Sequence, residues 1–141
     1  TTGCDLLVIG RSPRTLDLLS ACGLCTGTAG ALADREADVV VECTGNPEGF
    51  EIARRAVRPR GTIVLKSTYH GRTSLDMAPL VVYEITLVGS RCGPFAPAHE
   101  LLASGAVDPR PLIDGSHPLS DAVAAFEHAA KPGTLKILVD C

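Results

Sequence analysis

The stretch from Asp38 to Ser67, DVVVECTGNPEGFEIARRAVRPRGTIVLKS, holds two apolar runs separated by a segment of helical periodicity. Val39 to Cys43 is continuous rather than alternating, the pattern of a strand covered on both faces of a parallel sheet. Asn46 followed by Pro47 is a helix-start signal: the amide side chain can accept from an unpaired backbone N–H, and proline fits the first helical position. In the helix so opened, Gly49, Ile52, Ala53, Ala56 and Val57 share one face, leaving Glu51, Arg54, Arg55 and Arg58 outward. Thr62 to Leu65 then forms the second run.

The same alternation extends in both directions. Leu6 to Ile9 is an apolar run followed by Ser12 and Pro13, which start a helix carrying Leu16, Leu18 and Leu19 and closed by Gly23. Ile85 to Val88 and Leu135 to Val139 are further strands, and Ser120 opens a helix with an expected inward stripe of Ala122, Val123, Phe126, Ala129 and Ala130, ended by Lys131, Pro132 and Gly133. The fold class is therefore α/β. The proline-rich stretch from Val107 to Pro118 reads as a departure from the main sheet.

Composition excludes several functions. The chain has 141 residues, 45% of them hydrophobic, and a formal charge of −3; without a basic block or tryptophan it lacks the positive face and stacking platforms that nucleic acid needs. With no long apolar run and no leader peptide, no membrane association is expected, and a cytoplasmic protein is. The six cysteines (Cys4, Cys22, Cys25, Cys43, Cys92, Cys141) fall in or beside apolar segments and read as reduced, buried thiols. The CxxC formed by Cys22 and Cys25 has no second pair and no histidine at metal spacing.

In open α/β sheets, ligands gather at the carboxyl ends of strands. The residues there are Gly10, Arg11 and Ser12 after the first run; Thr44, Gly45 and Asn46 after the second; Lys66, Ser67, Thr68 and Tyr69 after the third; and Gly89, Ser90, Arg91 and Cys92 after the fourth. Small, hydroxylated and cationic side chains recur at all four tips, which suits a long polar ligand carrying phosphate.

With DLLVIGRSPRTLDLLSACG, EITLVGSRCGPF and the tail PLSDAVAAFEHAAKPGTLKILV added to the opening stretch, the chain resembles the medium-chain dehydrogenase/reductase superfamily, the zinc-type alcohol dehydrogenases, over nearly its whole length. Its closest flavour is a bacterial branch of threonine- and sugar-alcohol-type enzymes. The resemblance implies a Rossmann-like, mostly parallel sheet with flanking helices. It is truncated, lacking the first strand, the GxGxxG turn that would cradle the pyrophosphate, and the N-terminal catalytic domain. Residues 1–141 would then be a partial NAD(P)-binding domain whose tail strand returns to the missing catalytic domain. No zinc ligand is assigned to any cysteine or histidine present; zinc, if used, would belong to that missing domain.

The family comparison also gives each tip a role. NAD-specific members end the strand matching Leu6 to Ile9 with an acidic residue that bonds the ribose hydroxyls; here that position is Gly10. Gly10 leaves room for a 2′-phosphate, and Arg11, Ser12 and Arg14 can donate to it, so NADP is expected over NAD, although NAD is still possible. The alternative is that both arginines are solvated first-turn residues. Cys43, Thr44 and Gly45 would line the nicotinamide half, with Lys66, Ser67 and Thr68 in the next loop and Ser90, Arg91 and Cys92 bracketing the carboxamide. These are binding roles; no catalytic residue is assigned. The substrate would be a small alcohol or carbonyl compound, and the complete parent a homodimer, joined through the strand at Ile85 to Val88.

Other features have plainer readings. Lys66, Tyr69 and His70 lack the YxxxK spacing of a reductase acid, His99, His117 and His128 have no partner nearby in sequence, and Arg54, Arg55, Arg58 and Arg60 read as a solvated helix end. Loss of the first strand would open edges on the strands at Leu6 to Ile9 and Val39 to Cys43. Two rivals are a non-catalytic nucleotide-binding module of the same fold and a methyltransferase of similar topology, the latter disfavoured because its cofactor offers no phosphate to Arg11 and Arg14.

Overall fold

The computed structural model describes residues 3–69, 71 and 74–141. In chain order the elements are β1 (Leu7–Ile9), α1 (Pro13–Ala21), β2 (Cys25–Gly27), β3 (Ala37–Glu42), α2 (Pro47–Ala56), β4 (Val57–Leu65), α3 (Ala78–Val82) and β5 (Thr86–Gly89). They continue with α4 (Phe95–Ala103), β6 (Ile113–Pro118), α5 (Ala122–Ala129) and β7 (Lys136–Asp140). The chain forms two compact units, Thr28–Gly93 and a second made of the segment through Gly27 together with Pro94–Cys141. All strand pairing is parallel, in sheets ordered β1-β2, β3-β4-β5 and β6-β7, and the α/β, Rossmann-like class holds.

In the Thr28–Gly93 unit the helix starts as its sequence dictates. Asn46 Oδ1 accepts the N–H of Gly49 at 2.9 Å and Pro47 occupies the first turn. The buried face comprises Gly49, Phe50, Ala53 and Ala56, so Phe50, at 1% exposure, replaces the half-buried Ile52 expected from the periodicity. Phe50 and Ala53 pack with Val57, Ile63 and Leu80, flanked by Val40, Leu65 and Ile85. Val39 and Val41 remain 56% and 55% exposed, because α2 covers the opposite face of β3. The expectation of a strand buried on both faces is corrected accordingly. Among the described residues, β1 and β3 each keep one edge without a strand partner.

Strand β4 starts directly after α2, well before the expected Thr62, and its pairing with β3 shifts register between Ala37 and Val39. Gly61 is required there: a Cβ would lie 2.9 Å from the Asp38 carbonyl oxygen and 2.7 Å from Val57. Beyond the shift the ladder is regular, aligning Glu42 with Leu65 and Leu65 with Gly89.

In the other unit, Ser12 caps α1, its Oγ accepting the Thr15 N–H at 3.4 Å, and Gly23 leaves the helix with φ +82°. The proline-rich stretch contains β6, which pairs with β7 in a two-stranded sheet separate from β3-β4-β5. Helix α5 is rotated from the expected stripe. Its buried residue is Ala125, whereas Val123 and Phe126 are 75% and 77% exposed, since the small alanine allows α5 to lie close on β6 and β7. The cysteines are a second correction: all six are exposed, four of them at helix ends or strand tips where side chains face outward. No helix among the described residues is long and apolar enough to cross a membrane.

Truncating Phe50 to alanine removes the largest buried side chain and should cost about 3–5 kcal/mol of stability. Phe126→Ala should change it by less than about 0.5 kcal/mol. Urea denaturation of the two variants checks both, and the reverse order would mean that the helix faces are misassigned.

Candidate functional site

At the β1 tip, Gly10 donates its N–H to the Gly27 carbonyl at 3.0 Å, closing the parallel pair just before the chain turns into α1. Arg11 is exposed and Ser12 half-buried at the helix cap. Arg14 donates to the Gly133 carbonyl at 2.8 Å and forms a close ion pair with Asp114 on β6. Asp114 also accepts the Leu135 N–H at 2.6 Å. The Arg14 guanidinium, helped by that amide, holds the Asp114 carboxyl below its usual range and is itself raised. Ser12, Arg14, Asp114, His128, Lys131 and Thr134 line an open cavity of about 440 Å³.

The tips of the other unit stand side by side because their strands are in register. The Lys66 N–H reaches the Glu42 carbonyl and the Ser90 N–H the Leu65 carbonyl, each at 2.9 Å. Gly45 has φ +68°, and a Cβ on it would come within 3.1 Å of Ser67 Cβ and 3.2 Å of the Thr68 carbonyl oxygen, so only glycine lets the two turns approach this closely. Lys66 Nζ donates to the Arg91 carbonyl and lies 3.5 Å from Ser90 Oγ. Thus Cys43, Thr44, Gly45, Lys66, Ser67, Thr68, Ser90, Arg91 and Cys92 gather at one sheet end, whereas Gly10, Arg11, Ser12 and Arg14 belong to the unit made of the segment through Gly27 and Pro94–Cys141.

Sequence reasoning missed Glu42. It is 3% exposed and ends β3 directly below these turns. One carboxylate oxygen accepts from the Thr44 N–H at 2.5 Å, the Thr44 hydroxyl and the Gly45 N–H at 3.2 Å; the other accepts from the Tyr69 hydroxyl at 2.8 Å. Burial pushes the carboxyl upward, but the Thr44 hydroxyl, Tyr69 and the two amides together outweigh it and hold Glu42 below its ordinary value. Burial, followed by the hydrogen bond to Glu42 and its charge, drives the Tyr69 hydroxyl far above its usual range, so it stays protonated and donating to Glu42 at neutral pH. His70 lies outside the described residues. The only available signal was an acid inside the apolar run VVVECTG.

Arg54 and Arg55 in the last turn of α2 pair with Glu51 and Asp34, whereas Arg58 and Arg60, expected at a solvated helix end, lie on β4 and pair with Asp38 and Glu84, because the chain passes from helix to strand at Val57. His117 and His128 do meet, with Nε2 to Nδ1 at 3.1 Å, a pairing hidden by their separation in sequence. Among the described residues no group of three or more His, Cys, Asp or Glu is placed to hold a metal ion.

Residues 3–104 match the family described as zinc-binding dehydrogenase. A 2-dehydro-3-deoxy-L-galactonate 5-dehydrogenase of Pseudoalteromonas atlantica is 31% identical over 141 residues, covering 97% of this chain and 40% of that protein. The crystal structure of L-idonate 5-dehydrogenase from Escherichia coli superposes with a TM-score of 0.85 at 25% identity, covering 97% of this chain and 43% of the other. A structure from Sinorhizobium meliloti, described as a zinc-binding dehydrogenase bound to NADP, shares the fold with a TM-score of 0.82 at 23% identity, over 96% and 44% of the two chains. The chain thus spans less than half the length of these relatives. Matched by the family over most of its length, and 31% identical to a named dehydrogenase over 97% of this chain, the chain belongs to the zinc-binding dehydrogenase family.

Proposed function

We propose that residues 1–141 are the cofactor-binding part of an NADP-preferring, alcohol dehydrogenase-like oxidoreductase, whose complete form exchanges hydride between the nicotinamide and a small alcohol or carbonyl compound. The observation that carries the reading is Gly10 at the β1 tip, where an NAD-preferring site would have a carboxylate, followed by Arg11, Ser12 and Arg14. Structures of the same fold are described as bound to NADP in one case and to NADH in another, which supports a nicotinamide nucleotide as the ligand. The nicotinamide nucleotide supplies the hydride chemistry. The chain's own residues bind and orient: Arg11 and Ser12 donate to the 2′-phosphate, and Arg14 exchanges Asp114 for it. Ser67 and Ser90 offer hydroxyl donors and Gly45 close backbone approach to the nicotinamide end, while the Thr44 hydroxyl and the Thr44 and Gly45 amides are engaged by Glu42 and shape the turn. The proposed parent is cytoplasmic and a homodimer, its β5 edge the joining strand.

A charged hydrogen bond contributes about 1.5–3 kcal/mol, so one or two to the extra phosphate favour NADP by roughly ten- to a thousandfold. Replacing Gly10 with Asp should abolish most of that ratio. The substitution is sterically modest, since the new Cβ would meet only the end of the Leu16 side chain, at 3.0 Å. Fluorescence titration of the protein with NADPH and NADH reads the outcome; an unchanged ratio would end the proposal. In the opposite direction, Asp114→Asn frees Arg14 of its carboxylate and should tighten NADPH severalfold while leaving NADH unchanged, in the same titration. Equal effects on both nucleotides would show that Arg14 takes no part in discrimination.

A further inference from the structure

We propose that Glu42 is a positioning residue for the nicotinamide nucleotide: one carboxylate oxygen shapes the Thr44–Gly45 turn while the other, through Tyr69, fixes the loop after β4. The inference rests on the nucleotide-binding reading above and deepens it. Three observations carry it. The carboxylate is almost fully buried yet accepts four hydrogen bonds, divided between two separate turns. The Thr44 hydroxyl that donates to it fits only because residue 49 is glycine, where a Cβ would fall 1.8 Å from that oxygen. Thr44 Oγ1 in turn accepts the Asn46 N–H at 3.4 Å, so the bonds run on into the start of α2.

The consequence is that the spacing of the two turns is set before a ligand arrives. A nucleotide approaching the Gly45 backbone meets amides already turned toward Glu42 and a Ser67–Thr68 loop already held against them, so less ordering accompanies binding. Glu42 itself touches no ligand in this scheme. Replacing it with Gln leaves one acceptor oxygen: turned to the Thr44 and Gly45 donors, it preserves that turn, and the amide NH₂ then faces Tyr69 and inverts the outer bond. Replacing it with Ala leaves both turns unsupported.

The test compares Glu42→Gln, Glu42→Ala and Tyr69→Phe with the unaltered protein, titrating NADPH and adenosine 2′,5′-bisphosphate, which carries only the half assigned to the β1 tip. NADPH should weaken about threefold to tenfold in Tyr69→Phe and Glu42→Gln, and more than about tenfold in Glu42→Ala, since what reaches the nucleotide is the reordering of a loosened turn and not a lost contact with the ligand. Bisphosphate affinity should stay unchanged in all three. Parallel loss of both ligands would mark a general loss of structure and overturn the proposal, as would unaltered NADPH binding. Amide hydrogen exchange at Thr44 and Gly45 separates the two readings. If the unaltered protein binds neither probe, the nucleotide assignment falls and the role of Glu42 toward it falls too; faster exchange in Tyr69→Phe would show that the latch between the turns is nevertheless real. Unchanged exchange there overturns the latch whatever the nucleotides do.

Discussion

The in-register parallel ladder of β3, β4 and β5 is the constraint on which the turns that follow these strands depend. Parallel strands all point their carboxyl ends the same way, and a one-residue slip would reverse every side chain between faces. With Glu42, Leu65 and Gly89 in one row, the residues that follow emerge together as a single polar rim. Burial holds the register: Ile63 and Val57 are fully enclosed with Phe50, so sliding β4 past β3 would draw apolar surface into water and bring Gly61 away from the one place where its missing side chain is needed.

An ionised carboxylate beneath that rim appears at odds with the apolar neighbours on the same strand. Its cost is offset locally. An unpaired buried charge would shift its pKa and neutralise, whereas one surrounded by directed donors stays ionised. Glu42 has four such donors, two of them backbone amides in the turn it stabilises. The geometry that satisfies the charge is therefore also the geometry that aims the turn, and neither can change without the other.

How much of this was legible in the sequence follows from the range of the interactions concerned. Local signals were read well: Ser12 with Pro13, and Asn46 with Pro47, start helices through bonds spanning three residues, and Gly23 ends one with a positive φ. Strand positions were visible from apolar runs, but their lengths were not, because β4 is extended by a register shift that only its partner reveals. Helix faces were ambiguous where two stripes were both apolar, as with Ala125 against Val123 and Phe126. The gathering of hydroxyls and cations at the tips was foreseeable from the parallel class. The Glu42–Tyr69 and Arg14–Asp114 pairs were not, since each joins residues far apart in sequence whose partner could have been any of many polar side chains.

The two ends of the chemistry differ in how firmly their charges are held. Glu42 is locked, with every donor supplied from within its own unit and little solvent access. Arg14 is exposed, and an ion pair in water is weakly held because solvent screens it and compensates either partner when the pair separates. An exposed guanidinium beside a carboxylate can change partners at low cost, and a dianionic phosphate offers it more charge and a planar fit for paired donors. The carboxylate left behind, its side chain 12% exposed, retains the Leu135 N–H as a donor. A buried carboxylate thus suits a surface that must be preset, and an exposed ion pair suits a contact that must be exchanged.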